Sequence, residues 1–264
     1  MKISKTNKKI FGIFYKYYKI KFGSFDKKYK KNFYHYMNSI LLIIKFNLPW
    51  YKLNDLKAFT IHYSNYFRFF KKISESGIFN LVYNDLVKYK FENLNNYEKL
   101  FTVDSTIIFN SNGSEKISKI PNYTKKKGSK VSIIIHNETL IPVSIIISDA
   151  KTSDIKLLEE NINLSKINLK NSTILGDKGY ISKKVENKLK IEKNINLLTY
   201  KRKNMFDQNT KEEKKILKRR IRIENFFSIL KNKYKLFKLR NQKKFVYLSS
   251  MISFSLSMFI IDLK

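Results

Sequence analysis

The sequence predicts a mixed α/β sheet flanked by helices and preceded by a small all-helical region. Three observations carry that expectation. Residues 1–95 place apolar side chains at helical spacing with lysines between them. From Leu100 onward, short β-branched runs alternate with helical segments, the pattern of a sheet with helices packed on its faces. Gly 7 and Pro 3 in 264 residues are too few for the many tight turns of an all-β sandwich or barrel. Asn95, Asn96, Asn110 and Asn112 can take turn positions instead, because Asn tolerates positive φ.

In the N-terminal region, Asn32 to Phe46 is an apolar helix stopped by Asn47-Leu48-Pro49-Trp50. A second helix takes Thr60 as N-cap and runs through Tyr63, Phe67, Phe70 and Ile73, with Arg68, Lys71 and Lys72 on its other side. Gly77 ends it, Ile78 to Tyr89 is a third helix, and Asn93-Leu94-Asn95-Asn96 is the linker. Beyond it, strands are expected at Leu100–Phe109, Val131–Ile135, Val143–Ser148, Ser172–Leu175 and Ile195–Tyr200. The second and third should form a hairpin across His136-Asn137-Glu138-Thr139. Helices fall at Asp154–Leu164, Ser182–Leu189, Lys211–Leu239 and Lys244–Leu263. This organisation gives two domains, 1–95 and 98–264.

Charge is the strongest compositional signal. Lys+Arg 54 against Asp+Glu 21 gives a net +33, and such a chain seeks a polyanion, either nucleic acid or an anionic membrane surface. Part of the bias reflects base composition, since Lys, Asn, Ile, Tyr and Phe, which A+T-rich codons encode, dominate together. The basic N-terminus is not followed by an uninterrupted apolar run, because Lys16, Lys19 and Lys21 intervene, so no signal peptide is expected. The uncharged stretch Phe245 to Ile261 approaches the length of a spanning helix. It carries five serines and reads as a buried core helix.

Several chemistries lack their parts. With no Cys there is no disulfide framework, thiolate zinc site or Cys nucleophile. The three histidines His35, His62 and His136 are scattered, and there is no HExxH, P-loop, G-x-G-x-x-G or G-x-S-x-G motif.

The carboxylates are few, and three stand out. Asp104 interrupts the apolar run Leu100–Phe109, where a charge is expensive unless paired or bound to a metal; an edge strand, or capping by Ser105, would also accommodate it. Asp177 follows the run Ser172–Gly176, at the carboxyl end of a strand, where ligands of open α/β sheets gather. An ordinary Asp turn with Gly179 at positive φ would read the same. Glu224 lies on the expected long helix, where Arg220, Glu224 and Lys231 fall within about 40° of one another. They flank an apolar stripe of Ile216, Ile223, Phe227, Leu230 and Tyr234, while Lys218, Arg222 and Lys233 point elsewhere. An i, i+4 ion pair explains Arg220 and Glu224 in part.

Val103-Asp104-Ser105, Gly176-Asp177-Lys178-Gly179-Tyr180 and Arg220-x3-Glu224-x6-Lys231, in that order, resemble the DDE signature of bacterial insertion-sequence transposases, in particular the group of insertion sequence families four and five. Leu48-Pro49-Trp50, Phe67-Arg68-Phe69-Phe70 and Ser76-Gly77-Ile78-Phe79 resemble the N-terminal helical domain of the same enzymes, and Lys127-Gly128-Ser129-Lys130 a recurrent basic element. Two positions depart: Leu217 stands where the fuller signature has Tyr, and Asn137-Glu138 where the hairpin turn usually has Gly.

The resemblance implies a ribonuclease H-like fold in 98–264 and a helical DNA-binding domain in 1–95. Asp104, Asp177 and Glu224 would be the catalytic residues and hold two Mg2+, with Mn2+ as a substitute; Asp104 would bridge the ions. Arg220 and Lys231 would hold the phosphate at the cut. Lys178 would contact DNA, as would Lys127 and Lys130 in the basic loop Lys116–Lys130, which includes Lys119, Lys125 and Lys126. So would Arg68, Lys71 and Lys72. The first step hydrolyses the strand at the element end, and the second joins the 3′-OH to target DNA. The partner is double-stranded DNA, with a homodimer or higher oligomer assembled on it and no membrane. The setting is cytoplasmic in a bacterium, and nuclear or in a viral factory otherwise. A domesticated or decayed copy that only binds DNA, or a nuclease or resolvase with the same carboxylates, fits the same residues.

Overall fold

Ten residues rich in β-branched and aromatic side chains, Leu100–Phe109, form β1, an interior strand of the sheet. The computed structural model describes residues 5–23, 27–30, 32–56, 59–94, 96–110, 113, 115–121, 126–234 and 244–263. Asn95 of the expected linker, Asn112, Lys125 of the basic loop and 235–239 of the expected long helix lie outside the described residues. The chain divides into two compact units. Met1–Leu86, Phe109–Glu115 and Leu230–Lys264 form one, and Val87–Ile108 with Lys116–Ile229 form the other. The last helix is thus grouped with the N-terminal helices rather than with the sheet that precedes it.

The first unit holds α1 (Lys5–Phe22), α2 (Lys27–Lys30), α3 (Phe33–Phe46), α4 (Tyr63–Glu75), most of α5 (Ile78–Glu92) and α10 (Phe245–Asp262). Phe14 of α1, Phe79 of α5 and Phe254 of α10 meet as a ring trio at centroid separations of 5.4–5.6 Å. All three are buried, and edge-tilted packing of this kind adds to their area burial. Asn47, in the left-handed conformation (φ 51°), terminates α3 before Pro49 is reached. Pro49 instead leads into a 3-10 turn at Trp50–Asp55. The N-cap of α4 is His62, whose imidazole accepts from the Ser64 N–H, so the expected cap at Thr60 is displaced by two residues. The buried seam of α4 is accordingly Tyr66, Phe69, Phe70 and Ile73, with Tyr63 and Phe67 half-exposed. Gly77, at φ 77°, ends the helix as expected. Among the described residues α10 is the one helix long and apolar enough to cross a membrane, and it is largely buried within the protein. Three of its serines have partners within the unit: Ser255 and Ser257 donate to the Met251 and Ser253 carbonyls, and Ser253 donates to Asn80 of α5.

The second unit is built on six strands: β1, β2 (Ser118–Lys119), β3 (Lys127–His136), β4 (Pro142–Asp149), β5 (Thr173–Gly176) and β6 (Asn196–Thr199). The path runs β3–β1–β5–β6, with β4 and the two-residue β2 also paired to β3. β3 and β4 are antiparallel, whereas β1–β5 and β5–β6 are parallel. Between and after the strands come α6 (Asp154–Leu164), α7 (Lys183–Lys193), α8 (Lys211–Leu217) and α9 (Ile221–Asn232). This is the mixed sheet flanked by helices that the sequence implies, with a helical N-terminal part. The hairpin expected across His136–Thr139 is present.

Two expectations are corrected. The helix read as Lys211–Leu239 is broken by a 3-10 turn at Lys218–Arg220. The break shifts the helical phase, so Leu217 and Phe226 are buried where Ile216 and Phe227 were expected. Leu217, the residue standing in for the family's Tyr, joins Leu100, Leu175 and Leu198 in one core cluster linking α8 to three strands. The strand expected at Val131 begins four residues earlier, at Lys127. Gly128 explains this: a Cβ there would lie 2.5 Å from the Ile108 carbonyl oxygen, so only glycine lets β3 pass β1 at that point.

Gly128→Ala is expected to lose about 1–3 kcal/mol of stability, since the backbone it meets cannot yield as a side chain would. Gly12→Ala, inside α1 with its nearest neighbour at 3.4 Å, should gain about 0.5–1 kcal/mol. Urea unfolding of the two variants should move the midpoint in opposite directions; a shift of the same sign in both would refute the steric account.

Candidate active site

The register of β1 and β5 sets the site. Leu100 pairs with Thr173 and Thr102 with Leu175 in parallel, so two positions on Asp104 stands beside Asp177 at the carboxyl ends of the strands. The Asp104 carboxylate accepts from the Ser105 N–H (2.8 Å) at Oδ1 and from Arg220 Nη2 (3.3 Å) at Oδ2. Asp177 accepts from the Gly179 N–H (2.7 Å), in the 3-10 turn Lys178–Tyr180. Neither glycine of this motif is at positive φ, so the alternative of an Asp turn closed by Gly179 at positive φ does not apply. Their function is steric. A Cβ on Gly176 would press on the Tyr180 ring at 3.0–3.1 Å, and one on Gly179 would lie 3.0 Å from Asp177 Oδ1.

A third carboxylate, Asp154 in the first turn of α6, stands in the same cluster. It accepts from the Ser105 hydroxyl and from Lys130 Nζ (3.1 Å), which also donates to the Thr152 carbonyl (2.8 Å). Tyr180, buried, brings its hydroxyl 3.2 Å from Ser105 Oγ, and burial pushes its own pKa well above the usual phenol value. Burial also pushes the Asp104 carboxyl up to about 6. The Ser105 N–H and Arg220 oppose that rise, and the charges of Asp177 and Asp154 reinforce it.

Hydrogen bonds from three residues dock the start of α9 against the strands. Arg219 forms a bidentate pair with Glu98 (2.8 and 2.6 Å). Arg222 donates to the carbonyls of Asn137 (3.1 Å) and Glu138 (2.6 Å). Asn137 Nδ2 donates to Thr102 Oγ1 (2.8 Å) and to the Arg219 carbonyl (3.1 Å). This docking carries Arg220 onto Asp104 and leaves Glu224 exposed one turn further along. Asp104 and Asp177 are therefore brought together, whereas Glu224 does not complete a cage with them: among the described residues no three His, Cys, Asp or Glu side chains are placed to share an ion.

The basic candidates are distributed unevenly. Lys178 is exposed beside Asp177, and Lys127 is exposed at the start of β3. Lys130 is turned inward and committed to Asp154. Lys231 is exposed in the last turn of α9. On α4, Arg68 is exposed, Lys71 lies 4.0 Å from Glu75, and Lys72 sits over the Phe22 ring at 4.4 Å. Sequence reasoning missed Asp154, Asn137 and Arg219. Ser153-Asp154 signals a helix start, which Asp154 also is, and nothing in the spacing reveals its contact with β1.

Residues 98–245 match the family described as transposase DDE domain. The chain belongs to the transposase DDE domain family. Two solved structures resemble this DDE domain protein, each at 12% identity. One is a piggyBac transposase synaptic complex with hairpin DNA, with a TM-score of 0.47, covering 99% of this chain and 66% of that one. The other is a Mos1 transposase paired-end complex with left transposon end, with a TM-score of 0.27, covering 66% of this chain and 58% of that one. The chain thus spans less than two thirds of the length of these relatives, and neither likeness assigns a role to a residue. No curated protein matches the chain.

The family's divalent ion has a donor set of the right chemistry in the DDE domain. Asp104 and Asp177 offer hard carboxylate oxygens at one sheet edge, as Mg2+ and Mn2+ prefer. The elevated pKa of Asp104 shows that Arg220 alone does not offset its burial and its acidic neighbours, a deficit that a divalent cation would relieve.

A carboxyl raised from its ordinary value to about 6 makes the native state lose stability as pH climbs from about 4 through about 6. Asp104→Asn removes that ionisation, so at pH 7.5 the variant should be more stable than wild type, by at most about 3 kcal/mol. The advantage should shrink as pH falls toward about 4, where the wild-type carboxyl is protonated folded or unfolded. Millimolar Mg2+ should close the gap at pH 7.5 by stabilising only the wild type. Thermal melts over this pH range, with and without Mg2+, check all three; an advantage unchanged by pH would remove the burial argument.

Proposed function

We propose that this chain is a DNA transposase of the insertion-sequence type, close to insertion sequence families four and five. It would bind the terminal inverted repeats of its element, cleave the ends by metal-dependent hydrolysis and join the 3′-OH to target DNA. The observation that carries the reading is the nearness of Asp104 and Asp177 at the carboxyl ends of two parallel strands, with Arg220 on Asp104, inside a DDE domain.

In this reading Asp104 and Asp177 would hold Mg2+; Glu224, exposed on the helix docked by Arg219 and Arg222 and apart from that pair, would have to move toward it to serve as the third ligand. When bound, the ion lowers the pKa of the attacking water or 3′-hydroxyl and stabilises the leaving oxygen. The remaining tasks fall to side chains of this chain. Arg220 reaches the carboxylate through Nη2, and among the described residues its buried Nε has no hydrogen-bond partner. The positive guanidinium beside Asp104 would attract a phosphate oxygen at the cut. Lys178 adds positive charge next to Asp177, and Lys231 follows Glu224 along α9. The net +33 draws in the polyanion by counterion release, and Arg68, Lys71 and Lys72 belong to the end-recognition surface. Joining two ends in one event calls for at least two copies of the chain on the DNA.

Asp104→Asn, Asp177→Asn and Glu224→Gln should each abolish cleavage of a terminal-repeat duplex while leaving its binding in a gel-shift assay nearly intact. Arg220→Ala should slow cleavage more than about tenfold, on the order of 1.4 kcal/mol, and Arg220→Lys should rescue it poorly because lysine lacks the fork. Lys218→Ala, exposed on the 3-10 turn, serves as the control for charge alone. Near-normal cleavage by Glu224→Gln would take Glu224 out of the site, and cleavage without joining would make the protein a nuclease.

A further inference from the structure

Resting on the reading of Asp104 and Asp177 as the metal-holding pair, we propose that Asp154 is a positioning residue that aims both carboxylates through the Ser105 hydroxyl. Ser105 is the junction of three elements. Its N–H holds Asp104 Oδ1 on β1, its Oγ donates to Asp154 on α6, and Tyr180, from the turn after Asp177, stands 3.2 Å from the same Oγ. Successive side chains of a strand leave on opposite faces, so a grip on Ser105 fixes the rotation of β1 that aims Asp104.

Asp154 is equipped for this task. Its charge is offset locally by Lys130, with side-chain exposures of only 13% for Lys130 and 32% for Asp154, and by the N-terminal end of α6. Lys130 is in turn fixed by the Thr152 carbonyl, so the pair is held from β3 and from the residues leading into α6. The other Asp154 oxygen faces Gly179, where an added Cβ would meet it at 3.7 Å, and Gly179 is the residue whose N–H orients Asp177. Asp154 therefore spans the gap between the two carboxylates' supports. It is not itself placed as a ligand: Oδ1 already accepts from Ser105 and Lys130, and among the described residues no three carboxylates share an ion site. Groups that orient metal ligands in this way are commonly worth 10–100-fold in metal affinity.

The test is Mn2+ binding to the full chain, read from the electron paramagnetic resonance signal of free Mn2+, with melting temperature recorded beside it. Asp154→Ala should weaken Mn2+ binding at least about tenfold, while Asp154→Asn, which keeps an acceptor for Ser105, stays within about threefold of wild type. Ser105→Ala should match Asp154→Ala, and the double variant should be no weaker than either single one, because both act through one hydrogen bond. If Asp154→Ala does not fold, Ser105→Ala, which loses only a hydroxyl, carries the same expectation. Wild-type affinity in Asp154→Ala or Ser105→Ala, an Asn variant as weak as Ala, or additive losses in the double variant would each overturn the proposal. Asp104→Asn separates the two levels. Wild-type Mn2+ binding by that variant would overturn the metal-pair reading and this proposal with it. Lost binding there, combined with normal binding in Asp154→Ala, overturns this proposal alone.

Discussion

The parallel pairing of β1 with β5 is the constraint on which the rest of the second unit depends. It is a backbone interaction, three residue pairs from Leu100–Thr173 to Thr102–Leu175, and it carries no chemistry of its own. Yet it makes neighbours of two aspartates that are far apart in the chain. Below them, Leu100, Leu175, Leu198 and Leu217 form an apolar floor shared by β1, β5, β6 and α8. A slip of one residue would turn these leucines out of the core. The burial that stabilises the strands thus also fixes where the charges stand, and that burial is the first cause of the altered acidity of Asp104.

Two charge environments follow. Over the whole chain the surplus of Lys and Arg is large enough to draw any nucleic acid toward it. At the strand ends that surplus is gone, with Asp104, Asp154 and Asp177 set against Arg220, Lys130 and Lys178. A cluster of carboxylates inside a positive protein suits a polyanion and a small divalent ion at once. The arginines of the α8–α9 junction divide the labour: Arg219 and Arg222 fasten the helix to the sheet, and Arg220 reaches the carboxylate.

The sheet was largely legible from sequence, because β-branched runs such as Leu100–Phe109 and helix signals such as Ser153-Asp154 are local. The helix α6 was read to the residue. What stayed hidden was set by contacts distant in sequence. The 3-10 break at Lys218–Arg220 comes with the anchoring of Arg219 to Glu98 and of Asn137 to the Arg219 carbonyl, none of which leaves a periodicity. α1 was not singled out because lysines crowd its sequence, although Ile10, Phe11, Phe14 and Tyr18 are buried along one side. At the site, Asp104 and Asp177 were legible as charges where a strand should be apolar or should end. Asp154 was not, since an aspartate in a first helical turn needs no second explanation.

The trio Phe14, Phe79 and Phe254 has a temporal meaning as well as a spatial one. The first two rings leave the ribosome early, and the third follows only after every residue of the sheet-bearing unit has been made. Chains generally fold domain by domain as they emerge. Here the N-terminal helices must wait with Phe14 and Phe79 uncovered where Phe254 will sit while the sheet is synthesised, and they complete their native packing after it. The unit written first is the one finished last.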